Sequence, residues 1–195
     1  MVRWTFVLII ACAVVFLLQQ TGIFDWRLFA FTPGLALERP WTFVTSIFLH
    51  ADFSHILFNM FALFMFGIIL ENRVGSRNFV ILFFLSGIAG SIGYMITASD
   101  SMIPAIGASG AIYGIIGVLA VVMPLMIVWV WGGIPMPMIV FAAIWIALEV
   151  LGMLSPSDIA HSAHLGGVIA GIIYGIYLRM SERRTVREYK EEINV

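Results

Sequence analysis

The sequence predicts an all-α membrane protein folded as a bundle of six transmembrane helices. Three observations predict it. Of the 195 residues, 62% are hydrophobic and only 11% charged, against about 45–50% and about 25% in soluble domains. The mean hydropathy is +1.05, and a soluble fold of this length could not hide so much apolar surface, so the excess must face lipid. From Ser101 to Leu148 there is no Asp, Glu, Lys, Arg or His, which no soluble loop region resembles. A net charge of −1 without a basic patch gives no reason to expect nucleic acid. Cys12 is the only cysteine and sits in an apolar segment, which excludes disulfides and cysteine-based zinc sites.

A spanning helix needs about 20 mostly apolar residues. By that measure the spans run approximately Trp4–Gln20, Phe53–Leu70, Phe79–Ala98, Ala108–Met123, Met136–Met153 and Ala160–Met180. The first follows Arg3 and has the short basic start of a secretory leader. No small-residue cleavage site follows it, so it reads as a retained first helix. The fourth is short and begins at a glycine-rich turn. Pro124, Pro135 and Pro137 bracket an apolar linker holding Trp129 and Trp131, which reads as an interfacial connection. Residues 1–180 form a single membrane domain, and 181–195 a mixed-charge tail to which no chemistry is assigned. No internal repeat of the kind common in transporters is present.

Lys and Arg placement orients the bundle. Arg3, Arg73, Arg77, Arg179, Arg183, Arg184, Arg187 and Lys190 fall on one side, which should be the cytoplasm, and only Arg27 and Arg39 lie in the long first loop. Both termini are therefore expected in the cytoplasm, as in a multi-pass protein of the cell membrane.

All four histidines, His50, His55, His161 and His164, lie at or in membrane segments. Polar groups at that depth are costly and face a protein interior or a water-filled cavity; their plain use is hydrogen bonding between helices. A second set of residues points further. Gly107 and Gly110 flank Ser109 at a helix start, permitting close backbone approach and unusual φ values. The Ser109 N–H is then among the unpaired donors of a helix N-terminus, half of an oxyanion hole. Tyr113, four residues on, shares its face. The plainer alternative is a packing stripe of Gly110, Gly114 and Gly117 without serine chemistry.

On the last span, His164 is followed by Gly167, Gly171 and Gly175 on one stripe. Two glycine-striped helices approach closely enough for Ser109 and His164 to pair, with His164 as general base. No acid is obviously placed to orient it. Asp158 and Glu149 are candidates, and Tyr113 packed against the imidazole would serve instead, so the expectation is a dyad. His55 and Asn59, four apart, share a face and could donate to the oxygen of a tetrahedral intermediate. His50 and His161 read as loop-anchoring residues.

These residues resemble the rhomboid proteases. His50-Ala51-Asp52-Phe53-Ser54-His55-Ile56-Leu57-Phe58-Asn59-Met60 looks like that family's second-helix signature. Gly107-Ala108-Ser109-Gly110 resembles its nucleophile motif and Ala163-His164-Leu165-Gly166-Gly167 its base motif. Glu71-Asn72-Arg73-Val74-Gly75-Ser76 is similar to the stretch that closes its second helix. The resemblance runs from about Pro40 to Tyr177. It implies a rhomboid-like bundle of six helices and cleavage of single-span membrane proteins near the outer membrane face. It also implies catalysis by Ser109 and His164, with oxyanion stabilisation by His55, Asn59 and Ser109, and no cofactor or metal. One departure is Trp41-Thr42, where the family often carries Trp-Arg. A pseudoprotease that binds membrane helices is less consistent with both dyad residues being present. A transporter or metal carrier would call for carboxylate companions and repeat symmetry.

Overall fold

The computed structural model describes residues 3–130, 133–154 and 159–193, with side chains described as far as residue 182. Trp131 and Asp158, singled out above, lie outside the described residues. Among the described residues, four helices are long and apolar enough to cross a membrane: α1 (Trp4–Thr21), α2 (Phe53–Val74), α3 (Ser76–Thr97) and, from His161 through Ile193, α6, whose first 22 residues are the apolar part. Two shorter apolar helices, α4 (Ser109–Val122) and α5 (Met138–Gly152), lie where the other two spans are expected. Only 17–39% of the apolar windows of the four long helices is buried in the protein, so most of that surface points outward, as lipid requires.

Several helix boundaries have an identifiable cause. The first amides of α1 lack intrahelical partners; the Trp4 and Thr5 N–H groups donate instead to the Glu71 carboxylate, at 2.8 and 3.0 Å. The Thr5 and Ser76 hydroxyls donate to the same group at 2.7 Å each. This satisfied carboxylate is buried, which is why α2 runs past the predicted end at Leu70 to Val74. Gly75, at φ +80°, turns the chain in one residue so that α3 starts at Ser76, earlier than the predicted Phe79. Asp52 caps α2, accepting from the His55 N–H at 2.8 Å and the Ser54 hydroxyl at 2.6 Å. The Ser54 and His55 bonds hold its carboxyl below the ordinary range. A π-helical stretch interrupts α2 at Leu63–Gly67.

Between α4 and α5, where the sequence reads as an interfacial linker, two short strands pair. Ile127–Val130 (β1) pairs antiparallel with Ile134–Pro137 (β2), Ile127 opposite Pro137 and Val130 opposite Ile134. The branched and aromatic run Ile127-Val128-Trp129-Val130 favours a strand, and Pro135 and Pro137, lacking N–H donors, suit an outer strand better than a helix.

The centre of the fold is α4, buried along nearly all of Gly110 to Ala120. Its glycine stripe meshes with that of α6. A Cβ on Gly167 would meet the backbone of Gly110, and one on Gly171 the backbone of Gly114. On α3, a Cβ on Gly90 would stand 2.8 Å from the Ala163 carbonyl oxygen. Backbone-to-backbone contact of this kind is open only to glycine, and it brings the start of α6 beside the start of α4.

Candidate active site

Ser109 is the first residue of α4, after a loop strapped to the first loop at three places. Phe31 and Ala105 exchange backbone hydrogen bonds of 3.2 and 2.8 Å, Gly34 donates to the Ser101 carbonyl at 2.7 Å, and Gly107 to the Ser46 carbonyl at 2.9 Å. Gly107 has φ +123°, and a Cβ there would fall 2.7 Å from His55 Nε2 and 3.8 Å from Ser109 Oγ. Glycine is therefore required on two counts, conformation and space. In the first loop, the Trp41 indole N–H donates to the Leu28 carbonyl at 2.9 Å, and Thr42, where the family often has arginine, is buried with its hydroxyl on the Arg39 carbonyl at 2.7 Å.

His164 Nε2 stands 2.8 Å from Ser109 Oγ. The Tyr113 ring stacks on the His164 imidazole, centroids 4.3 Å apart and planes 5° from parallel. The expected pair and the expected aromatic support are thus brought together. Because two χ angles set an imidazole's direction, a parallel ring one van der Waals layer away limits it strongly.

His55 lies against Gly107. The Ala51 N–H points at His55 Nδ1, 3.3 Å away, so in the neutral ring the proton sits on Nε2, the atom that faces Gly107. Asn59 is buried, and one of its two amide donors is used on the His55 carbonyl at 2.8 Å. His50 anchors its loop: Gln19 bonds its backbone N–H and carbonyl at 3.1 and 3.2 Å. Burial, with His55 adjacent, pushes the His50 imidazole down to about 4, so it is neutral at ordinary pH. Beside Ser109 is a cavity of about 30 Å³ lined in part by Ser46, Ser91, Gly107 and Gly110. Its lining mixes serines with apolar residues, and it is large enough for a water.

His161 departs from expectation, and Glu149, one of the two candidate acids, lies beside both histidines. Glu149 is a buried carboxylate on α5. It accepts from the Tyr113 hydroxyl through Oε1, and its Oε2 lies 2.6 Å from His161 Nδ1 and 2.9 Å from His164 Nδ1. His161 therefore engages α5 through Glu149 instead of anchoring a loop, and its ring fills the space where a Cβ on Gly152 would stand. The sequence signal was a lone carboxylate within an apolar span. Two histidines and a carboxylate also form a possible cation-binding set, with donor atoms within 4.8 Å of one another. Separations of 2.6 and 2.9 Å, however, are hydrogen-bond lengths; donors on a tetrahedral zinc at about 2.0–2.1 Å would stand roughly 3.3 Å apart.

Helices of membrane length, with a serine and a histidine bonded at adjoining helix starts, define an apolar membrane protein with a hydrolase-like site. The Rhomboid domain profile matches residues 37–181, and the chain belongs to the rhomboid family. It is 37% identical over 105 residues to YdcA of Bacillus subtilis, covering 53% of this chain and 52% of that protein. It is 34% identical to Rhomboid protein 1, mitochondrial, of Saccharomyces cerevisiae, covering 69% of this chain and 41% of that one. With Rhomboid protease GlpG of Yersinia pestis it shares 26% identity over 93% of this chain and 64% of that protein. The chain thus spans about half the length of the curated relatives it matches.

Proposed function

We propose that the chain is an intramembrane serine endopeptidase that cuts single-span membrane proteins near the extracytoplasmic face. The observation that carries the proposal is the 2.8 Å contact between Ser109 Oγ and His164 Nε2, at the starts of two helices locked together by glycine. Ser109 Oγ attacks the scissile carbonyl as Nε2 takes its proton; the resulting imidazolium gives that proton to the leaving amine. Water then attacks the acyl-enzyme with His164 again as base, and the cavity beside Ser109 is where that water would be held.

The developing oxyanion is met by the Ser109 N–H, by His55 Nε2–H across Gly107, and by the second amide donor of Asn59. Each such donor is worth about 2.7–4 kcal/mol in a comparable serine protease. In the topology that fits this chemistry, α1 to α6 all cross a cell membrane, residues 1–180 form one domain, and both termini with the 181–195 tail are cytoplasmic. The placement of eight of ten basic residues supports it. No cofactor enters the mechanism.

The test is cleavage of a single-span substrate by the purified protein in detergent, with labelling by a fluorophosphonate. Ser109→Ala and His164→Ala each abolish cleavage while melting like the wild type, because a dyad fails when either member is lost. Labelling occurs at Ser109 and disappears in His164→Ala. Substantial turnover by either variant refutes the dyad, and a wild type that neither cleaves nor labels favours a helix-binding pseudoprotease.

A further inference from the structure

We propose that Glu149 is a positioning residue for His164, its carboxylate taking the Nδ1 side of the imidazole so that Nε2 faces Ser109 with its lone pair free. The inference rests on the serine–histidine chemistry above and goes beyond a dyad.

A carboxylate is expensive at this depth. Glu149 is 7% exposed and is the only charged residue between Met138 and Gly152, so it persists only if its partners are built around it. Those partners belong to the site: Tyr113 from α4, and His161 and His164 from α6. Tyr113 and His161 hold the two carboxylate oxygens in place. Tyr113 therefore has two tasks, stacking on His164 and fixing the group that faces the edge of the same ring.

The second observation is His164 Nδ1 itself. It is buried and makes no aligned hydrogen bond, while Glu149 Oε2 is 2.9 Å away, approaching out of line with the ring N–H. A buried N–H left without an acceptor is costly, and a small rotation of either group aligns the two. With the proton held on Nδ1, the neutral ring must be the tautomer whose Nε2 accepts from Ser109. As Ser109 loses its proton to Nε2, Nδ1–H stays in place and the carboxylate remains ionised beside the new imidazolium. No proton passes to Glu149.

A plainer role for Glu149 is to tie α5 to the bundle. The two roles separate in Glu149→Gln, which keeps the shape and the hydrogen bond to Tyr113 but carries no charge. The full chain in detergent is compared with Glu149→Gln, Glu149→Asp and Tyr113→Phe by peptide turnover, fluorophosphonate labelling, thermal melting and ¹⁵N NMR of the histidine rings, His164 being assigned from His164→Ala.

Positioning predicts that kcat in Glu149→Gln falls about 10–100-fold with KM within about twofold, short of the ~10⁴-fold seen when a fully aligned triad acid is neutralised. Glu149→Asp recovers part of the loss, and Tyr113→Phe shows a smaller one. The wild-type His164 ring is a single Nδ1–H tautomer, and Glu149→Gln becomes a mixture. Unchanged kcat in Glu149→Gln, or a rise as a released tie would give, overturns the inference. So does a His164 tautomer that is Nε2–H in the wild type or indifferent to the substitution. The NMR measurement needs no turnover and reads the wild type even if Glu149→Gln fails to fold. A protein without protease activity would therefore refute the proposed function and leave this inference separately decided.

Discussion

Gly167→Ala tests whether the glycine mesh sets the geometry of the site. Gly167 lies three residues after His164, and a Cβ there would fall on the Gly110 carbonyl, 2.8 Å from its carbon and 3.2 Å from the Gly110 Cα. Real Cβ contacts essentially never come under 3.0 Å, and the obstacle is backbone, which no rotamer change removes. Relief requires α6 to withdraw from α4 by roughly an ångström, the scale at which overpacking costs about 1–3 kcal/mol. The same movement carries His164 with it. A 2.8 Å contact lengthened by roughly an ångström is no longer a hydrogen bond, and misplacement of that size costs about 100-fold in rate.

Two measurements check this: melting temperature in detergent, expected to fall by roughly 2–12 °C at about 2–4 °C per kcal/mol for a chain of this size, and the rate of fluorophosphonate labelling, expected to fall about 100-fold. Gly133→Ala is the control, since nothing lies within 4 Å of a Cβ there and the backbone is unstrained. If Gly167→Ala melts and labels like Gly133→Ala, the close approach of α4 and α6 does not position the serine–histidine pair.

Two further predictions follow from the same site. His55→Ala and Asn59→Ala each lower kcat by about one to three orders of magnitude, as loss of an oxyanion donor does; unchanged rates with lowered melting temperatures would assign both residues to helix packing. Cysteines placed at Ala105 and Ser162, in a Cys12→Ala background, react with membrane-impermeant thiol reagents from outside the cell, whereas those at Ser76 and Ser181 react only once the cytoplasmic side is opened; the reverse pattern refutes the orientation.

The pairing of site residues was legible where the signal is local. Ser109 begins α4, His164 lies in the first turn or so of α6, and each is followed by a glycine stripe, so the pattern itself says that the two helices can touch and which face of each is involved. His55 and Asn59 share a face by their spacing alone. Span lengths were legible to within a few residues except where a charge was buried. Glu71 suggested the end of a helix because nothing nearby in the chain shows that Trp4 and Thr5, 67 and 66 residues away, supply its donors. The β1–β2 hairpin was read as an interfacial linker because prolines exclude a helix there but do not by themselves specify a strand.

The sequence by itself determined that this is an apolar helical protein and which serine and histidine can meet, because composition, helical period and glycine spacing are properties of single segments. Only the tertiary structure decided what Glu149 does. A lone carboxylate in an apolar helix must find partners, and sequence reveals that need. Which partners it finds depends on the rotation of α5 about its own axis and on its approach to α4 and α6. Those quantities are fixed by packing between segments that lie 12 and 36 residues away along the chain, and they bring Tyr113, His161 and His164 around one carboxylate.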